Sequence, residues 1–145
     1  MEYAIGAISK VFGSKYAEID GYPTRVRLPD EPLMLVDRVI SIEGEPLVLG
    51  PLRIITEHHV KDDAWYLDSG RMPICITVEA GQADLMLSGF AGIDFHTKGL
   101  AVYRLLDADI TFHRHLPLPG ETVRYDIRIK HFFTLNDTQI GRAHV

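Results

Sequence analysis

From residue 74 to about residue 90 the chain is apolar on nearly every face. Ile76, Ala80, Ala83, Leu87 and Phe90 recur at helical spacing, while Val78, Leu85, Met86 and Ala91 make other faces apolar too. The run is too long for one strand and predicts a helix from Ile76 to about Phe90, buried on most sides. Pro73, after a polar loop, opens it. Ala80, Gly81, Ala83, Ser88 and Gly89 make it a helix of small residues. Gly81 costs about 1 kcal/mol relative to Ala, which is tolerable where a surrounding sheet comes close.

The rest of the chain alternates with a strand period. Val123, Tyr125, Ile127 and Ile129 oppose Thr122, Arg124, Asp126, Arg128 and Lys130. Leu106, Ala108, Ile110 and Phe112 oppose Asp107, Asp109, Thr111 and His113 in the same way. One buried and one wet face is the antiparallel habit, so strands are predicted over 105–113 and 122–130. Leu33 to Ile42 and Leu47 to Glu57 read as two earlier strands across a turn at Glu43-Gly44-Glu45-Pro46. Pro51 marks the second as an edge or a bulge. Residues 3–12 suit a short helix with Ile5, Ile8 and Phe12 on one side and Gly13 as its stop. Residues 60–72 form a polar loop around Trp65 and Tyr66. The prediction is an α+β chain: an antiparallel sheet wrapped around one long buried helix. Residues 1–32 are a helix and extended lead-in, and 33–139 are the main domain.

The end of the chain breaks the pattern. Asn136-Asp137 suits a hairpin turn that should return a partner strand. The chain instead closes on Ile140-Gly141-Arg142-Ala143-His144-Val145, the translation of a widely used sequencing adapter. The expectation is that 140–145 is a non-native tail and that the domain is truncated.

Composition narrows the function. The 145 residues are 46% hydrophobic and 24% charged, with a formal charge of −5. That is ordinary for one globular domain. Acids and bases are interspersed, and no Lys/Arg run could track a phosphate backbone, which argues against nucleic acid. No apolar stretch reaches the roughly 18 residues that span a bilayer. Cys75 is the single cysteine, which excludes an internal disulfide and suits a reducing, cytoplasmic compartment.

Chemistry-bearing residues are few. Glu79 is the one carboxylate in the first turns of the predicted helix, either a catalytic acid or a buried acid paired with a neighbour. His113 and His115 share a strand face, as metal ligands would, but a third ligand is not evident. His58 and His59 could supply a substitute base, but they precede Trp65 by six or seven residues and point to opposite faces of an extended chain, which weighs against it. Cys75 at a helix start reads better as a small buried hydrophobe than as a nucleophile. Trp65 and Tyr66 read as anchors of the loop.

Several segments together resemble the β-hydroxydecanoyl-type 3-hydroxyacyl-acyl carrier protein dehydratases, a hotdog-fold family. They are Leu33-Met34-Leu35-Val36-Asp37-Arg38-Val39, Asp63-Ala64-Trp65-Tyr66, Met72-Pro73, Glu79, and Thr111-Phe112 followed by Pro119-Gly120 and Val123-Arg124-Tyr125. Ile8-Ser9-Lys10-Val11-Phe12-Gly13 with Tyr16, and the Arg25–Leu28 lead-in, look closer still to the dehydratase regions of bacterial polyunsaturated fatty acid synthases. The resemblance implies a hotdog fold that works as a pair. It implies loss of water from a 3-hydroxyacyl thioester, with a loop His as base, a helix carboxylic acid as acid, and backbone N–H groups holding the thioester carbonyl. No cofactor and no metal is implied. The implied partners are an acyl chain on an acyl carrier protein and a second hotdog domain, in the same chain or as a homodimer.

Carried over position by position, the match is mixed. Glu79 lies where the family has its acid. Met72 and Pro73 match the oxyanion loop and tunnel mouth, but Ile74 and Thr77 stand where the family has glycines. Trp65 to Met72 contains no His and is shorter than the family loop. The expectation is the non-catalytic half of a double hotdog. Two alternatives stay open: an active dehydratase using Glu79 with a base from a partner unit, and a hotdog thioesterase in which Glu79 or Asp84 activates water.

Overall fold

The computed structural model describes residues 7–102, 104–135 and 138–144, leaving aside the side chains of residues 84–86, 138 and 139. Four strands, β1 (Arg38–Glu43), β2 (Leu52–His59), β3 (Thr122–Leu135) and β4 (Thr138–His144), form one antiparallel sheet in the order β1-β2-β3-β4. Helix α1 (Ile8–Phe12) precedes them, and α2 (Ile74–Asp84) and α3 (Ile93–Thr97) fall between β2 and β3. This is an α+β chain with an antiparallel sheet and several helices, a hotdog-like arrangement.

Registry explains which sheet face is buried. Leu52, Ile54, Thr56 and His58 of β2 stand opposite Ile129, Ile127, Tyr125 and Val123 of β3. Apart from the half-buried Val123, these residues are all buried, and the even positions of β2 and odd positions of β3 make the floor of the core. The alternation predicted over 122–130 holds, and β3 continues to Leu135. Ile76, Ala80, Ala83 and Leu87 are buried, as the helical stripe predicts. On the exposed sheet face Arg53 bridges Glu43 and Asp126, and Arg128 joins Asp126. These two guanidiniums hold the Asp126 carboxyl well below the ordinary carboxylate range.

Four expectations need correction. The predicted helix is not one long buried element. After Asp84 the chain tightens into a 3₁₀ segment, Leu85–Ala91, and turns at Gly92. The Phe90 carbonyl there accepts the Leu47 amide at 3.0 Å and the Tyr16 hydroxyl at 2.6 Å. Gly92 has φ +77°, and a Cβ on it would meet the Leu47 Cα at 3.0 Å, so only glycine suits both conformation and contact. Nor is α2 buried on most sides, because Ile74 and Cys75 are exposed and Thr77, Val78 and Glu79 half-buried.

Second, residues 105–113 form no strand. The alternation has no ladder partner among the described residues. Third, β2 is a central strand that starts at Leu52, so Pro51 lies just outside it rather than marking an edge or bulge. Proline's missing N–H delays the ladder by those few residues. Fourth, Leu33–Asp37 precede the ladder, with Met34, Leu35 and Val36 consecutively buried. Consecutive burial is core packing by an irregular segment, not a two-sided strand.

The hairpin turn expected at Asn136-Asp137 lies outside the described residues, as does Ile5. Past it, residues 138–144 pair with β3. Gly13 does stop α1, with φ +100° and its N–H bonded to the Ser9 carbonyl.

Candidate functional site

The start of α2 is assembled from two loops. The Met72 amide donates to the Pro117 carbonyl, and the Arg71 guanidinium to the Leu116 carbonyl, both at 2.9 Å. Val60 exchanges backbone bonds with Gly120 and Glu121. These bonds fix the ends of the 60–72 loop against the turn that leads into β3. Pro73 then presents a carbonyl that accepts the amides of Ile76 and Thr77 at 3.1 and 3.0 Å.

Thr77 adds a third bond to that carbonyl. Its hydroxyl donates to the Pro73 carbonyl at 3.1 Å, and its own carbonyl accepts the Tyr125 hydroxyl, also at 3.1 Å. A side chain thus occupies a position where the family resemblance calls for glycine, and its donor is already used. Ile74, at the other such position, is 48% exposed. Met72 is fully buried in the core. Glu79 is half-buried, one turn from Ile76 and Ala83 at the border of the buried stripe, and none of the described residues bonds to its carboxylate. The side chain of Asp84 lies outside the described residues.

A second polar cluster lies where β2 meets the 60–72 loop. His58, inward on β2, is 5% exposed, and its Nε2 is 2.7 Å from the Tyr66 hydroxyl. Tyr66 is 8% exposed, the apolar ring packed in the main core. The other His58 nitrogen, Nδ1, lies 3.2 Å from the Asp37 carboxylate. That distance suits an ion pair, but the contact lacks the alignment of a hydrogen bond. Asp37 also accepts the His59 amide.

Burial pushes the His58 pKa below its ordinary value, with the attraction of Asp37 opposing. Burial, and then the Asp37 charge, pushes the Tyr66 hydroxyl up. Burial thus favours the neutral forms of the imidazole and the phenol. The cluster ties the 60–72 loop to the sheet and links a surface carboxylate to the core.

The histidines at 58 and 59 do point oppositely, and His59 is exposed, with Nδ1 3.2 Å from the Thr122 hydroxyl. Their connection to Asp37 and Tyr66 is not visible in the sequence. One signal existed: His58 continues the inward series Leu52, Ile54, Thr56. Tyr66 does anchor its loop, whereas Trp65 is 59% exposed, its indole N–H held by the Pro32 carbonyl at 3.1 Å and its ring edge-to-face with Tyr66. Cys75 is exposed, not buried. His113 and His115 are exposed on an irregular segment rather than a strand face. Among the described residues no three His, Cys, Asp or Glu side chains form a metal-binding group, and no helix is long and apolar enough to cross a membrane.

Fold and site together define a hotdog-like α+β unit with a buried His–Tyr pair. The chain is 42% identical over 134 residues to a polyunsaturated fatty acid synthase subunit of Thraustochytrium sp.. The match covers 91% of this chain and only 9% of that protein. The chain matches no family model.

Proposed function

We propose that this chain is a dehydratase-type hotdog unit of a polyunsaturated fatty acid synthase, and the non-catalytic half of a double hotdog. Its work is to pair with a second hotdog domain and to form part of the wall around an acyl chain carried by acyl carrier protein. The similarity to the synthase subunit supports the setting. The observation that carries the non-catalytic reading is the loop from Trp65 to Met72, which contains no His. An elimination needs its base within hydrogen-bond reach of the α-proton. The Thr77 hydroxyl turned onto Pro73 argues the same way, since a side chain and a spent donor stand beside the amides that would hold a thioester carbonyl.

The rival is an active dehydratase, with Glu79 as acid and a base from the partner unit. It draws on the Glu79 carboxylate being unengaged by the described residues. One substitution decides between them. Glu79→Gln in the whole protein leaves the hydration rate of a crotonyl-type thioester unchanged if the unit is structural. A loss of about 10²–10⁴-fold, the range for a general acid, refutes the non-catalytic reading. Hydrolysis of acyl thioesters without dehydration would instead identify a thioesterase.

A further inference from the structure

Between its ends, the 60–72 loop is pinned by one buried side chain. Of residues 61–71 only Tyr66 is buried. Its ring joins the main core, and its hydroxyl has one partner among the described residues, His58 Nε2 at 2.7 Å. The backbone bonds of Ala64 and Leu67 and the Asp68–Arg71 bridge close turns inside the loop and do not tie it to β2. Two polar ties stand beside it: the Trp65 indole on the Pro32 carbonyl and the Arg71 guanidinium on the Leu116 carbonyl.

The groups around His58 fix the direction of its bond to Tyr66. The Asp37 carboxylate, 3.2 Å from Nδ1, only accepts, so a neutral ring carries its proton on Nδ1. Nε2 is then a bare lone pair, and the Tyr66 hydroxyl is the donor. A second proton on the ring reverses this. Imidazolium is a donor at both nitrogens, so Nε2–H meets the Tyr66 O–H head on. The phenol must turn its hydrogen away, and no other described residue bonds to it. An unpaired O–H in a core is costly, whereas an opened loop hands both groups to water. Burial is the largest influence on His58 and opposes the second proton. Asp37, before β1, favours it; His59 on β2 and Lys61 in the loop oppose it. Across the ladder β3 sets Val123 opposite, which carries no charge.

We infer that His58 is a proton-operated latch: the neutral ring holds the 60–72 loop closed through Tyr66, and the protonated ring releases it while the sheet stays intact. The loop ends at Met72 and α2 begins at Ile74, so release frees the start of that helix. The inference goes beyond the proposed function and holds whether or not the unit is catalytic.

Amide hydrogen exchange on the whole chain, corrected for the intrinsic effect of pH, tests it. The Val60 and Met72 amides, which donate to the Glu121 and Pro117 carbonyls, mark the two ends of the loop. Their protection is expected to hold above about pH 6.5 and to fall about tenfold per pH unit below it, until the closed-loop pKa is reached. At every pH they exchange faster than the amides of the β2–β3 ladder, as a local opening requires. His58→Gln, which keeps the other histidines, abolishes the pH dependence. Nitrogen NMR shifts of the wild-type ring, on the alkaline side of the transition, place the proton on Nδ1 and need no variant. A neutral ring protonated on Nε2 overturns the proposal. So does loop protection that ignores pH, a pH dependence that survives His58→Gln, or loop amides protected as strongly as the ladder throughout.

Discussion

Replacing Tyr66 by Phe removes one oxygen from the interior and nothing else. The ring, part of the main core, keeps its shape, so no cavity opens. The loss is the 2.7 Å contact to His58 Nε2. A neutral hydrogen bond contributes about 1 kcal/mol net, but a buried group left without its partner raises the cost to about 1–3 kcal/mol. His58 is 5% exposed and the Tyr66 site 8%, so water does not readily replace the hydroxyl, and the upper half of that range is expected. Urea unfolding reads it as a lower midpoint at unchanged slope. His58→Phe in the Tyr66→Phe background completes a double-mutant cycle, and a coupling above about 0.5 kcal/mol is the signature of direct contact. A Tyr66→Phe chain within about 0.5 kcal/mol of wild type, the range of an ordinary surface change, would show that the buried pair holds nothing.

The same cluster makes stability depend on pH. Since burial keeps the folded-state pKa of His58 below its unfolded value, the unfolded chain takes up a proton that the folded chain refuses. Stability from this site is complete above about pH 6.5 and is lost as pH falls toward the folded pKa. Asp37→Asn removes the opposing attraction, so histidine resonances should place the His58 pKa lower still; a higher value contradicts the electrostatic account. Gly99→Ala should cost about 2 kcal/mol or more, above the usual cost of positive φ, because its Cβ would meet the Thr24 carbonyl oxygen at 2.5 Å. Gly120→Ala, at φ +84° with open space around it, should cost only the conformational part, about 1–2 kcal/mol, and thermal unfolding orders the two. Glu79→Gln tests function through the hydration rate.

The sequence and structure agree where a segment's environment is decided by its own pattern. β3 was legible because Val123, Tyr125, Ile127 and Ile129 differ sharply from their neighbours, and the ladder with β2 uses that difference. The run from Leu105 to His113 has as clear a pattern and no ladder, since alternation shows what a segment can pair with and not that a partner is present. The break of α2 into a 3₁₀ segment was illegible for another reason. The groups that take the Phe90 carbonyl, Leu47 and Tyr16, are remote in sequence and carry no local signal. The His58 cluster was half legible: alternation turns His58 inward, but only the β1–β2 register, which sets Arg38 opposite Glu57, brings Asp37 beside it. At the helix start, Thr77 and Ile74 were legible as departures from a family pattern. The bond from the Thr77 hydroxyl back to the Pro73 carbonyl carries no signal in the sequence.

The lead-in before β1 carries more than its irregular appearance suggests. Ile8, Tyr16 and Ile19 make a small core with Phe90 and Phe95 packed against it. The buried Asp94 carboxylate accepts the Val26 amide at 2.8 Å, and Leu28 belongs to the main core. The first twenty-odd described residues are thus a clasp over the seam between the 3₁₀ segment and α3. A graft of the sheet and helix into another assembly, cut at the apparent boundary near residue 32, would leave Phe90, Phe95 and Asp94 facing solvent. The transferable module begins at least as early as Ile8, so any graft must carry the clasp with the sheet or lose both.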